Sequence, residues 1–585
     1  MRSATANNQR VSRRALACVF VLALSLRLVY LQEIRSLVFF DHLVGDAAGY
    51  DEWAQRIAAG DWLGTETFYQ APLYPYFLGF IYKVIGHDLW WVRVVQCALG
   101  SIGCVAIAMA AGLFLSARAG VVAGVIMALY PPAIYFDGIL QKATLGFVLL
   151  AGLLWLLAPT ERKKGWWIWL TVGLVLGLLA LTRENLLVLT PVVIVWMLFT
   201  GRRLGLHRTP RWRLGLGLGT WGAVALVVVG LGFVLLPVGY RNYRVGGNFV
   251  LTTYQMGTNF YMGNHAGADG RYAPLKPGRE IPDYEREDAT ALAEQAAGHK
   301  LTPRQVSAFW MGQAWSYIGS QPLDWLRLLG TKWLLVWNRY EIPDTESYYI
   351  YRDSSWLLTV LGRIHHFGIL CPLAVFGMVA TWPQRRRLWM LYLVALAIAA
   401  SVTVFYVFGR YRYPLVPVLV IFAAAGLAEG WKSWRSSDQA RAGTAIILAA
   451  LVAGLVNWPI NPERHLNAAQ LGNLGAALAE QQRLPEALVY FEQAAAEEPN
   501  APRLRQFLAM ALALAGRFDD AIPHYRAALA LEPGRADADY NLAVALEQTG
   551  RFAEALHHYQ RALEVNPSDE QAHRAIKRLR TGMDP

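Results

Sequence analysis

Asp46, Tyr50 and Trp53 stand at i, i+4 and i+7 in the stretch that runs from Val44 to Trp53. On a helix they share one face, and a carboxylate flanked by aromatic rings suits gripping a sugar while drawing the proton from a hydroxyl. The same spacing fits a carboxylate that caps a helix start by accepting backbone N–H groups, so the pattern alone leaves both roles open. An apolar, aromatic run from Tyr69 to Tyr76 follows and adds Tyr74 as a candidate sugar or acceptor contact.

Cations form the second group. Arg410 and Arg412, in Gly409-Arg-Tyr-Arg-Tyr-Pro414, lie between two apolar segments, where paired guanidiniums suit the phosphate of a lipid head group. Snorkelling to ordinary phospholipid is the alternative. Lys142, Arg183, Arg241 and Arg244 emerge on the same side, and several cations on one face make an anion-binding cluster. Asp137, Glu184 and Asn264 are polar candidates for the sugar or acceptor. The two carboxylates also fit a divalent cation, although pairing with Lys142 or Arg183 is the commoner fate of an acid at a helix end.

Other chemistry is thinly represented. Cys18, Cys97, Cys104 and Cys371 fall in or at the ends of apolar segments with no CxxC spacing. His365-His366 and His557-His558 are adjacent pairs, not the i, i+4 arrangement of a helical metal site. No Walker loop, dinucleotide fingerprint or GxSxG elbow occurs, so the energy of any reaction must arrive in an activated donor. No cofactor is required by these residues; a divalent cation stands as the one alternative.

The elements that must position these residues are membrane helices. The chain has 585 residues, 55% of them hydrophobic, with 22 Trp, which is too apolar for a soluble globule. Its net charge of +12 resides mostly in short connections between apolar runs, where it sets orientation and does not call for nucleic acid. Taking about 17 to 25 apolar residues as a span, the sequence predicts eleven, near 15–32, 89–115, 119–136, 139–158, 166–182, 185–200, 215–239, 364–382, 388–408, 413–431 and 443–459.

Basic connections at Arg118, at 162–164, at Arg202 to Arg213, at 385–387 and at Lys432 and Arg435 all fall on the side of the N-terminal tail, so the tail is expected in the cytoplasm. The N-terminal apolar run resembles a signal peptide but contains Arg27 and shows no clear cleavage site, and is read as an uncleaved first span. Residues 33–88 and 240–363 then form outer loops. The second holds a Gly- and Asn-rich opening, a charged helical part and an amphipathic Trp-rich part, suited to covering a site at the membrane surface.

From Ala468 to about 581 a 34-residue period appears, marked by Pro499, Pro533 and Pro567 and by Ala477/Ala511/Ala545 and Phe491/Tyr525/Tyr559. Small residues at helix crossings with aromatics between them are the tetratricopeptide pattern. Three repeats and a capping helix from Glu570 are expected, outside the cell or in the periplasm, and separable from the chemistry because the stack buries its own apolar faces.

The loop with Asp46, the segments Pro72-Leu-Tyr-Pro75, Tyr130-Pro-Pro132, Leu181-Thr-Arg183 and Arg241-Asn-Tyr-Arg244, and the closing Arg410-Tyr-Arg412-x-Pro414 resemble the protein mannosyltransferase and aminoarabinose transferase superfamily, C-type glycosyltransferases of family 39. The resemblance covers residues 1–460; the appended repeats are similar to those of eukaryotic transmembrane O-mannosyltransferases. It implies an all-α polytopic membrane enzyme of a bacterial inner membrane, moving a sugar from a polyprenyl-phosphate donor to a hydroxyl acceptor with inversion. Asp46 matches the proposed base, and Arg410 and Arg412 match the segment near the lipid phosphate. Where many relatives place an acidic residue in the outer connection after the third span, Gln141-Lys142 stands near that position here, with Asp137 a turn earlier, and the resemblance implies that Lys142 does electrostatically what a cation does elsewhere. A protein or peptide is the expected acceptor or partner for the repeats. The competing readings are modification of lipid A or a cell-wall polysaccharide, and a non-catalytic scaffold or lipid-linked sugar transporter.

Overall fold

The computed structural model describes residues 10–159, 165–200, 218–276, 282–435, 439–460 and 468–583. Among them every regular element is a helix. The basic connections at 162–164 and from Arg202 to Arg213 lie outside the described residues, and nothing is described of the side chains of Lys432 and Arg435.

Each of the eleven expected spans coincides with a helix or a bent pair. Seven are long and apolar enough to cross a membrane, and an eighth is the pair Ala117–Leu129 and Pro131–Gly138, bent by 56°. The bend falls where Pro131 lacks the N–H that would continue the hydrogen-bond ladder. Three others, Ala143–Leu157, Trp166–Thr182 and Glu184–Thr200, are apolar helices of 10–17 residues; at 1.5 Å per residue they fall short of a hydrocarbon core of about 30 Å. Leu73–Ile85, assigned to an outer loop from sequence, is a further short apolar helix.

The helices pack closely because small residues let their backbones meet. A Cβ at Gly173 would run into the Val227 carbonyl, and one at Gly230 into the Leu170 carbonyl, which locks Trp166–Thr182 against Leu218–Gly246. Val228, Val229, Phe233 and Leu236 on that second helix remain exposed, an apolar stripe that only lipid can cover.

Arg27, the charge inside the first span, is fully buried, and its Nε lies 2.6 Å from Asp137 Oδ2. Thr144 Oγ1 donates to the other Asp137 oxygen at 2.7 Å. The carboxylate lies so close over Gly100 that a Cβ there would overlap it.

The C-terminal part forms helix pairs Ala468–Glu480 with Leu484–Glu497, Pro502–Leu514 with Phe518–Leu531, and Ala536–Gln548 with Phe552–Val565, closed by Glu570–Met583. The repeated alanines and the aromatics Phe491, Tyr525 and Tyr559 are buried. This stack is not a free tail. Gln470 Nε2 donates to the Asp344 carbonyl at 2.7 Å, Asn473 Nδ2 to the Thr345 carbonyl at 3.4 Å, and His42 Nε2 lies 2.9 Å from Glu480 Oε2. The first repeat helix rests on the segments next to Asp46 and Asp344, so the stack touches the elements that carry them.

Candidate active site

Asp46 opens the helix Asp46–Ala58, and Gly45 holds the N-cap position. Gly45 has φ of +54°, and a Cβ there would strike Thr345, so only glycine fits. The capping alternative is thereby decided, because the Asp46 carboxylate is spent on side chains. Arg410 Nη1 donates to its Oδ2, and Gln70 Nε2 donates to its Oδ1 at 2.9 Å. Arg410 Nη1 also lies 2.7 Å from Asp344 Oδ2, so one guanidinium bridges two carboxylates.

Lys142 and Arg183 complete the cluster. Lys142 N-caps Ala143–Leu157 and holds its ammonium over the Tyr50 ring at 5.9 Å. Arg183 ends Trp166–Thr182 and stacks on Tyr411 at 5.2 Å. Both its terminal nitrogens are buried with no hydrogen-bond partner among the described residues. Tyr50 is wholly buried and meets Tyr74 edge to face at 5.3 Å.

Charge in this site follows from burial and neighbours. Burial opposes ionisation of Asp46, yet the positive charges of Arg410 and Lys142 and the two hydrogen bonds outweigh it and hold the carboxyl at about 2. Asp344 shares Arg410, but its burial dominates and pushes its carboxyl up. Burial lowers Lys142 to about 8, with Glu184 acting in the opposite direction. Arg183 falls to about 10 through burial and the adjacent Arg410. Three cations face Asp46 and Asp344, with Glu184 beside Lys142, and Arg183, whose terminal nitrogens have no hydrogen-bond partner among the described residues, is the charge open to an anion.

The sequence-derived residues divide into two sets. Asp46, Trp53, Lys142 and Arg410 line one cavity, with Arg183 and Tyr50 immediately behind it. Arg241 borders the same cavity but is used on its rim: its Nε donates to the Leu63 carbonyl at 2.7 Å and its guanidinium lies 3.7 Å over Phe68. Glu184 accepts from Thr253 Oγ1 at 2.7 Å and Gln255 Nε2 at 3.3 Å, where it fixes a loop while facing Lys142.

The others lie elsewhere. Arg412 is buried in an ion pair with Glu341 at 2.6 Å and over the Phe367 ring at 4.0 Å. Asp137 serves the Arg27 pair, not Lys142 or Arg183. Tyr74 donates to Gln96 Oε1 at 2.6 Å. Asn264 is buried and accepts from Trp325 Nε1 and Lys332 Nζ, both at 3.0 Å. Arg244 reaches the Tyr240 hydroxyl at 3.2 Å, exposed.

Two acids were missed from sequence. Asp344 lies in Glu341-Ile-Pro-Asp-Thr-Glu346, a run of three acids in an otherwise aromatic outer segment that could have drawn notice. Glu285 is held by Tyr69 Oη at 2.6 Å and Tyr272 Oη at 2.9 Å, and burial pushes its carboxyl up. Its placement joins residues over 200 positions apart, which no local pattern reveals.

The sequence model of the family described as dolichyl-phosphate-mannose-protein mannosyltransferase matches residues 69–230. Those residues are under half of the chain, and over them the membrane part is similar to this family. It is a membrane glycosyltransferase of the C type, and the match includes Lys142 and Arg183 while Asp46, Asp344 and Arg410 fall outside it. Tetratricopeptide repeat models match 478–522 and 512–579 of the glycosyltransferase, and such repeats mediate protein–protein interaction. No curated protein matches the chain.

Among solved structures, the chain is similar to the first TPR domain of Spaghetti (RPAP3) bound to an HSP90 peptide, with 22% identity over 20% of this chain and 94% of that one and a TM-score of 0.20. The Sgt2 TPR domain from Aspergillus fumigatus gives 17% identity over 21% and 85%, also at 0.20. A MamA structure gives 21% over 27% and 86%, again at 0.20. At such scores these likenesses carry nothing about substrate.

Proposed function

We propose that this glycosyltransferase moves a sugar from a polyprenyl-phosphate donor to a hydroxyl of a protein acceptor, on the outer face of a bacterial plasma membrane, with inversion at the anomeric carbon. The observation that carries the reading is Arg183. A buried guanidinium whose terminal nitrogens lack hydrogen-bond partners is costly, and a phosphate beside it, within reach of Lys142 and Arg410, would satisfy it bidentately.

In this reaction the acceptor oxygen attacks the anomeric carbon, the bond from that carbon to the phosphate oxygen breaks, and the acceptor proton passes to Asp46. Lys142, Arg183 and Arg410 take up the charge that grows on the departing polyprenyl phosphate. Arg410 has a second use. While it grips Asp46 the carboxylate is a weak base; a donor phosphate that attracts Arg410 loosens the grip and raises the basicity of Asp46 as substrate arrives. Trp53 borders the place a sugar ring would occupy, and Tyr50 backs it.

The test incubates the purified full-length protein with a panel of polyprenyl-phosphate sugars and cell-envelope extract, and reads products by mass spectrometry and anomeric configuration by NMR. A glycosylated protein of inverted configuration is expected. Sugar found only in lipid or polysaccharide would replace the protein acceptor, and neither transfer nor donor hydrolysis across the panel would leave a scaffold or transporter.

A further inference from the structure

The cavity that holds Asp46 does not end at the membrane domain. It measures about 2090 Å³ and continues onto the first two repeats, where Asn473, Phe507, Met510 and Leu514 form its far wall. Small-molecule sites occupy about 300–1,000 Å³, so a sugar phosphate fills only part of it. The remainder is a cleft between two parts of one chain, roofed by the helices Ala468–Glu480 and Pro502–Leu514.

Three features say what fits there. Asp46 is only 8% exposed, which favours an extended chain, at about 3.3–3.6 Å per residue, over the convex surface of a folded domain. The repeat wall is apolar in its middle and leaves Leu514 62% and Leu531 43% exposed, which suits amino-acid side chains better than a hydroxyl-covered polysaccharide. It also carries Glu497, Glu498 and Glu532 against Arg503, with Glu480 beside His42, an acidic excess that favours a cationic partner over an acidic one.

We propose that this cleft is the docking groove of the acceptor, which enters as an extended, neutral-to-basic polypeptide segment held by the first two repeats while one hydroxyl side chain reaches Asp46. The proposal rests on the transferase reading above and adds the place, conformation and charge of the acceptor. It also makes the repeats part of the site. Gln470 holds the Asp344 carbonyl, the Asp344 carboxylate holds Arg410, and Arg410 holds Asp46.

The test uses the full-length protein in nanodiscs with p-benzoylphenylalanine placed singly at Met510, at Leu514, or at Val489, which is 50% exposed and outside the cleft. The probe is a biotinylated peptide of serine, threonine, alanine and lysine, compared with its glutamate-for-lysine counterpart. On illumination, positions 510 and 514 should label and position 489 should not, with the lysine peptide favoured by about fivefold, as one or two exposed ion pairs imply. Equal labelling at 489, or at 510 and 514 no labelling above that control, overturns the proposal. Displacement of the label by soluble peptidoglycan fragments but not by unlabelled peptide also overturns it and makes the groove a polysaccharide site. Donor hydrolysis in the same nanodiscs separates the two ideas: hydrolysis without groove labelling sinks the groove alone, and groove labelling without turnover of any donor sinks the transferase reading, and with it the acceptor role, while leaving a peptide-binding groove.

Discussion

Asp46 carries two burdens at the residue scale, an ion pair in the resting site and the proposed role of base in the reaction. Asp46→Asn keeps its shape and its contact with Gln70 while removing the charge. Transfer should fall by about 100- to 10,000-fold, the usual worth of a general base, with donor affinity little changed; a variant retaining a tenth or more of the activity would make Asp46 a positioning group only. Lys142 sets the alkaline side. Its ammonium is charged below about 8 and neutral above it, so attraction for the donor phosphate is lost as pH rises through that value. Asp46, ionised at every pH well above 2, adds no acid limb near neutrality. The kcat/KM for donor should therefore decline above about pH 8, and Lys142→Arg should move that decline to higher pH. A profile unchanged by the substitution would assign the limb to another group.

Elements hold these residues through backbone geometry that a few positions dictate. The first repeat turns at Gln482, which has φ of 62°, at the place in the 34-residue period where Gly516 and Gly550 have φ of 74° and 76°. A left-handed conformation costs a non-glycine residue about 1–2 kcal/mol. Gln482→Gly should consequently stabilise the stack by about 1 kcal/mol, read as a higher thermal midpoint of the repeat transition; an unchanged or lower midpoint would mean that the glutamine side chain makes up the difference. Arg412 illustrates the opposite case, a charge whose partner is structural. Arg412→Ala leaves Glu341 buried without its cation and should destabilise the membrane domain by about 3–5 kcal/mol. Its effect should appear as loss of folded protein in detergent and be relieved in part by Glu341→Gln, and donor affinity of whatever protein survives should be unchanged.

The whole molecule couples a membrane enzyme to a repeat stack through a short path of contacts. Gln470→Ala removes the bond to the Asp344 carbonyl without touching the membrane domain. It should lower kcat several-fold at constant donor KM, because a loosened Asp344 lets Arg410 wander, at a cost of about 1 kcal/mol for a neutral hydrogen bond. Equal kcat in the variant would show that the repeats rest on the site without shaping it. Orientation is a second matter at this scale. The basic connections predict a cytoplasmic N-terminus and repeats on the other side, so alkaline phosphatase fused after Pro585 should be active in cells, and an inactive fusion would reverse the assignment.

Periodicity was legible in the chain because it is local physics. Apolar runs and the 34-residue repeat each follow from which neighbours along the sequence can share a helix face, and the tetratricopeptide stack and most apolar helices lie where those patterns put them, although the run over 119–136 bends at Pro131 and Leu73–Ile85 arises within the expected outer loop. Asp46, Lys142, Arg183 and Arg410 could likewise be nominated, since charges beside apolar runs demand a reason. What they touch could not be. Arg410 and Arg412 are two residues apart, yet one turns to Asp46 and Asp344 and the other to Glu341, because helix rotation and packing, not composition, choose the partner. Asp137 was claimed by Arg27 from a helix 110 positions away, and Asp344 joined the site through Arg410, 66 positions on along the chain. Long-range pairing of buried charges is set by which segments the fold presses together in the absence of water, and that decision belonged to the tertiary structure.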